Sequence, residues 1–140
     1  MSDTIKKIIL IIIIIVLMLF TIMVTKSVKA KKMREENKLY TTLDQVATDF
    51  YKDYYYKIVL GSDEESRLHK AEYLKEVGIN ISLRELAKYK INDEDSILSQ
   101  FKNYKTHENC DYDKTKISIY PQEPYGESDI RIETNIVCGF

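Results

Sequence analysis

Tryptophan is absent from these 140 residues, and glycine (four), proline (two), cysteine (two) and histidine (two) are scarce. No Gly-rich phosphate loop, nucleophile elbow or dinucleotide fingerprint is present. Catalytic and metal centres have few components to draw on, namely His69, His107, Cys110 and Cys138. A Cys–His nucleophile pair would have to be His107 and Cys110, yet both cysteines have a better structural use. A zinc site built from His107, Cys110 and Cys138 lacks a clear fourth ligand and needs free thiols. Asp93-Glu94-Asp95 lacks the alternating spacing and central glycine of a calcium loop and reads as a helix start. No catalytic residue, metal ligand or cofactor is therefore assigned, and the chain is read as a non-enzyme.

The dominant positive feature is the run Ile8–Val24, which has no charge, Gly or Pro and one hydroxyl, Thr21. As a helix it spans roughly 26 Å, near the lower limit for crossing a bilayer. Lys6-Lys7 and Lys26 flank it and can snorkel to the interface. A cleaved signal peptide is the rival reading, because Val28-Lys29-Ala30 loosely fits a small-x-small cleavage site near Ala30. Its apolar core is longer than a signal peptide needs, and Lys26 and Lys29 crowd the cleavage region. The glycine before the run and the acid just inside it that mark a type IV pilin are both missing. The expected partition is a tail (1–7), a transmembrane signal-anchor contacting the lipid bilayer (8–25), a basic juxtamembrane segment (26–38) and one domain (39–140).

Charge divides the chain. Residues 26–34 carry five cations and no acid, whereas residues 35–140 carry 14 basic and 21 acidic side chains, a net of −7. An acidic body does not suit a phosphate backbone, so no nucleic-acid partner is expected. The basic cluster is read as an anchoring collar facing anionic headgroups. Orientation signals conflict: six cations in residues 26–38, against Lys6, Lys7 and the α-amine, favour a cytoplasmic domain by a positive-inside count. Long domains translocate largely regardless of charge, and an exported domain suits a disulfide between Cys110 and Cys138. The extracytoplasmic side is preferred. A cytoplasm-facing adaptor with reduced cysteines, or a domain secreted after cleavage, is the alternative.

Between Lys29 and Leu60 there is no Gly or Pro, and Leu39, Leu43, Val46, Ala47, Phe50 and Tyr54 recur at helical spacing. One long helix capped by Gly61 is predicted. Ser62-Asp63-Glu64-Glu65 reads as a capping box opening a helix with Leu68, Ala71, Leu74 and Val77 inward, ending at Gly78. Ile79–Ile81 alternates as a short extended segment, and Ser82–Glu85 is a second capping box. A fourth helix starting near Asn92 or Asp93 turns Ile97, Leu98 and Phe101 inward. The C-terminus then changes period: Ile117 and Ile119, and Ile130, Ile132, Thr134 and Ile136, alternate with polar neighbours as two strands. Pro121–Gly126 is read as the turn between them. Setting Ile117 opposite Ile132 and Ile119 opposite Ile130 puts Cys138 opposite Asp111, within bridging reach of Cys110. The fold class is thus α+β, a small helical body packed on a C-terminal antiparallel hairpin.

Eleven tyrosines are the compositional excess. Tyr51, Tyr54, Tyr55 and Tyr56 cover most of a helical turn, so not all can be core. Tyr54 shares the Leu43–Val46–Phe50 stripe and is expected inside. Tyr51, Tyr55 and Tyr56, with Tyr125, form a candidate contact patch for a protein or glycan partner. Asn80-Ile81-Ser82 matches a glycosylation acceptor, but the capping role explains Ser82 without it.

The stretches Ala47–Tyr56, Gly78–Leu83 and Tyr120-Pro121 through Pro124-Tyr125-Gly126 to Cys138-Gly139-Phe140 resemble small signal-anchored proteins of candidate phyla radiation bacteria, the Saccharibacteria type. The resemblance covers most of residues 45–140. It implies an exported, membrane-tethered domain with a C-terminal cysteine pair, and no particular activity.

Overall fold

The computed structural model describes residues 3–61, 63–89 and 94–139. Two compact units are present, Met1–Asn37 and Lys38–Phe140. Helix α1, Asp3–Phe50, supplies all of the described first unit and enters the second.

In the first unit the apolar run is helical throughout, and none of its most hydrophobic window is covered by the rest of the chain. The helix is long and apolar enough to cross a membrane, with a mean hydropathy of 3.4 over that window. Its polar atoms are satisfied internally, as hydrocarbon demands. The Thr21 hydroxyl donates to the Met18 carbonyl at 2.8 Å, and that of Thr25 donates to the Ile22 carbonyl at 2.9 Å.

In the second unit α1 buries Leu39, Leu43, Val46, Ala47 and Phe50, the predicted stripe. The α-helix then gives way to a π-helical segment, Tyr51–Val59, ending at Leu60, whose N–H donates to the Tyr55 carbonyl at 2.9 Å. Gly61 follows with φ +85°, the left-handed conformation that stops a helix. Helix α2 is Glu64–Val77. Its N-cap is Asp63, whose carboxylate accepts the Ser66 N–H at 2.9 Å, in place of the expected Ser62, which lies outside the described residues.

Strand β1 (Ile79–Ser82) runs directly into α3 (Leu83–Lys88) through the predicted capping box: Glu85 N–H donates to Ser82 Oγ, and the Glu85 carboxylate accepts the Ser82 N–H. The Ser82 hydroxyl also donates to the Glu85 carboxylate, at 2.6 Å, and this bond, together with that from the Ser82 N–H, holds the Glu85 carboxyl below its usual pKa. Helix α4 is Glu94–Ser99, with Ile97 and Leu98 buried; its predicted start at Asn92 or Asp93 lies outside the described residues. Strands β2 (Lys116–Pro121) and β3 (Ile130–Asn135) complete an antiparallel sheet of order β1-β2-β3. The expected hairpin is therefore part of a three-stranded sheet with β2 at its centre.

The hairpin register differs from the expected one by two residues. Ile117 faces Thr134 and Ile119 faces Ile132, because Pro121 is not a turn residue but the last rung of the ladder, opposite Ile130. Gln122 N–H donates to the Asp129 carbonyl at 2.6 Å, so the neighbouring Pro121 rung is a non-hydrogen-bonded one and needs no N–H. On its other side β1 begins only opposite Ile119. A slip of two keeps the parity of the strand, so the isoleucines stay on the expected face. Ile117 and Ile119 are fully buried, and Ile130 and Ile132 are half-buried.

Gly78, between α2 and β1, has φ +70°, and a Cβ there would lie 2.7 Å from the Tyr120 ring. At Gly61 the φ is +85° but nothing lies within 4 Å. Gly61→Ala should cost about 1 kcal/mol from backbone strain alone, and Gly78→Ala about 2–4 kcal/mol because a steric clash is added. Urea unfolding of the two variants checks the difference.

Candidate interaction surface

The π-helical turn decides where the tyrosines go. Its i→i+5 bonding places more residues in each turn than an α-helix, so side chains beyond Phe50 fall behind the α-helical phase. Tyr55, not Tyr54, continues the buried stripe. Tyr54 is 41% exposed where α-periodicity predicts burial. Tyr51 is fully buried, and so drops out of the predicted contact patch. Tyr55 and Tyr56 are half-buried.

The rings form a continuous aromatic string. Tyr51 stacks on Tyr55 at a centroid distance of 6.3 Å and meets Tyr56 at 6.0 Å; Phe50 meets Tyr55 at 6.0 Å, Tyr54 at 5.6 Å and Tyr89 at 5.4 Å. The Arg67 guanidinium sits 5.0 Å from the Tyr56 ring centre, a cation–π contact. The Tyr51 hydroxyl is buried without a hydrogen-bond partner among the described residues. Burial, then the nearby Tyr56 and Tyr55 hydroxyls, push its pKa up to about 12.

Beside this string the π segment and α2 enclose an open groove of about 690 Å³. Tyr55, Val59 and Leu60 line it from the π segment; His69, Tyr73 and Leu74 line it from α2. The Lys70 ammonium donates to the Leu60 carbonyl at 3.4 Å, satisfying an acceptor left at the helix end. Large apolar side chains of its lining remain in solvent: Tyr73 is 66% exposed and Val59 is 41% exposed. Two residues expected inside α2, Leu68 and Val77, are exposed as well. The reason is packing: α2 lies on β2 with Ala71 fully buried, and so narrow a strip leaves its flanking residues outside. Tyr125 lies in a different cleft of about 580 Å³, lined by Leu68, His69, Glu72, Glu123 and Pro124 among others. Of the four tyrosines predicted as a patch, only Tyr55 lines the groove. Val59, Leu60, Tyr73 and Leu74 were missed. The available signal was Tyr73, a bulky ring off the buried stripe of its helix.

Cys110 and Cys138 lie at disulfide-bonding distance with Cα atoms 4.1 Å apart, slightly closer than the usual lower limit of about 4.4 Å. The predicted ladder does not bring them together. Asp111 accepts from Thr115 N–H through its carbonyl and from Lys114 N–H through its carboxylate, forming a turn before β2. Asp111 N–H then donates to the Val137 carbonyl at 2.8 Å, aligning Cys110 with Cys138. The buried Asn103 amide clamps the same tail, donating to the Cys138 and Gly139 carbonyls at 3.0 Å each. Paired in this way, neither sulfur serves as a thiolate for the His107–Cys110 or zinc arrangements. Among the described residues no group of three or more His, Cys, Asp or Glu side chains is arranged to hold a metal ion.

No protein-family model matches the chain, and no curated protein or solved structure does.

With the cysteines at a sequence separation of 28, replacing both by serine should lower stability by about 3–4 kcal/mol on the chain-entropy account, read as a shift of the urea midpoint. Tyr51→Phe should be neutral or stabilising because it removes an unpartnered buried hydroxyl, whereas Tyr51→Ala should cost about 3–5 kcal/mol. The same unfolding measurement separates the two.

Proposed function

We propose that the chain is a single-pass, membrane-anchored and non-enzymatic interaction module of the cell envelope, with its domain on the extracytoplasmic side, binding a protein partner through the groove between the π segment and α2. One observation carries this reading. A 690 Å³ groove with aromatic and aliphatic walls is left open, and of its own lining Tyr73 is 66% exposed and Val59 41% exposed. Contiguous exposed apolar surface of this kind costs solubility and is characteristic of contact sites. The apolar run supports the anchor, and the cysteine pair supports an oxidising compartment. The resemblance to signal-anchored proteins of the Saccharibacteria type agrees with both. The groove is preferred to the tyrosine patch because Tyr51 is buried and Tyr125 lies in another cleft. A protein segment is preferred to a glycan because the walls are largely apolar.

Tyr73→Glu is the sharpest test, since so exposed a side chain can change without disturbing the core. Partner recovery from cross-linked membranes should fall about tenfold, as loss of an interface hot spot implies. Leu68→Glu, which lines the other cleft, should leave recovery unchanged. Equal recovery by wild type and Tyr73→Glu would reject the groove as the contact site.

A further inference from the structure

We infer that the basic collar Lys26–Arg34 is a binding site for the phosphate-bearing headgroups of anionic phospholipids, gathered around the anchor in the leaflet where α1 leaves the bilayer. The inference rests on Ile8–Val24 being membrane-embedded and is independent of the groove.

Three observations within the first unit carry it. First, α1 is unbroken from the apolar run through the collar, so the collar has helical geometry. At about 1.5 Å per residue, Lys26 lies roughly 3 Å beyond Val24 and Arg34 roughly 15 Å. The headgroup layer is roughly 5–7 Å deep on each side, and the screening length beyond it is about 8–10 Å. All five cations, Lys26, Lys29, Lys31, Lys32 and Arg34, fall within that combined depth.

Second, the cations form a ring. Taking about 100° per residue from Lys26, Arg34 lies near 80°, Lys31 near 140°, Lys32 near 240° and Lys29 near 300°. No gap in the ring exceeds about 100°. Lys26, Lys29, Lys31 and Arg34 are exposed, and Lys32, half-exposed, pairs with Glu36 at 3.4 Å. Val28 and Met33, the large apolar residues of the segment, are exposed and lie about 140° apart, so no apolar stripe exists for the helix to lie flat on a membrane. A ring suits a helix that emerges through the headgroups and meets lipid on every side.

Third, direction favours the lipid. Each Cα–Cβ bond of an α-helix tilts towards its N-terminus. Here that direction is towards the apolar run, so the long basic side chains leave the helix pointing back at the bilayer. Their stems can lie along apolar surface while the charges sit among phosphates. This holds whichever side of the membrane the domain occupies.

Full-length protein reconstituted in phosphatidylcholine bilayers, probed by electron spin resonance with spin-labelled phosphatidylglycerol or phosphatidylcholine, tests the site. The motionally restricted fraction should favour phosphatidylglycerol about three- to fivefold, the preference expected when a basic residue or so engages each lipid. Sodium chloride should reduce the preference. The combined substitution Lys26→Gln, Lys29→Gln, Lys31→Gln and Arg34→Gln should abolish it, while Lys→Arg at the three lysines should retain it. Equal restriction of the two lipids by the wild-type protein, or a preference that survives the fourfold Gln substitution, overturns the collar site. Absence of a restricted component for either lipid overturns the anchor reading instead. Inorganic phosphate should compete no better than chloride at matched ionic strength; selective competition by phosphate would assign the ring to a soluble anion and overturn the lipid assignment.

Discussion

Strand β2 is the constraint on which the domain depends. Its inward residues Ile117 and Ile119 are fully buried, and among the described residues it is the one strand hydrogen-bonded on both edges, to β1 and to β3. Thr115, just before it, is fully buried and fully used: its carbonyl accepts the Leu83 N–H at 3.0 Å and its hydroxyl accepts the Val137 N–H at 3.1 Å. The start of α3 and the C-terminal tail are thus fixed to the same point. At the other end Tyr120 packs so closely on Gly78 that no side chain fits there. Helix α2 lies against the same strand, which leaves the opposite side of α2 to wall the groove.

Polar closure supplements the core. The Arg84 guanidinium makes a two-point contact with the Asp113 carboxylate at 2.7 and 3.1 Å and lies 5.7 Å from the Tyr112 ring centre, beside the turn that presents Cys110. Exposed pairs of this kind contribute little individually, although two-point Arg geometry is the favourable case. The sulfur pair, the Asn103 clamp and the Thr115 hydroxyl act on the same few residues at the end of the chain. A domain of about a hundred residues buries a limited fraction of its surface, and covalent closure suits it.

What was readable in the sequence follows from which forces are local. The apolar run, the Leu39–Phe50 stripe and the Ser82–Glu85 capping box depend on spacing along one helix, and all three stand as expected. The alternation of β2 and β3 gave the correct faces, but register depends on how a turn closes. A proline in the last rung shifted the register by two without changing the pattern. The third strand was read only as an extended segment, because four residues leading into an N-cap carry little periodic signal. Tyr54 was misassigned because a change from α to π winding has no signature in residue spacing, whereas Tyr51 is buried one α-turn beyond Ala47, on the flank of the same stripe. The groove is a tertiary feature made by two segments, and only an apolar residue off the buried stripe, Tyr73, hinted at it.

The extracytoplasmic side is a proposal that the cysteine pair supports, and the state of Cys110 and Cys138 in intact cells tests it most directly. Cells are treated with a thiol-reactive polyethylene glycol maleimide after acid quenching, with and without prior reduction, and the mobility of the full-length chain is compared. The account predicts no shift without reductant and a shift of two adducts after reduction. Two adducts without reductant would show free thiols and contradict the extracytoplasmic assignment.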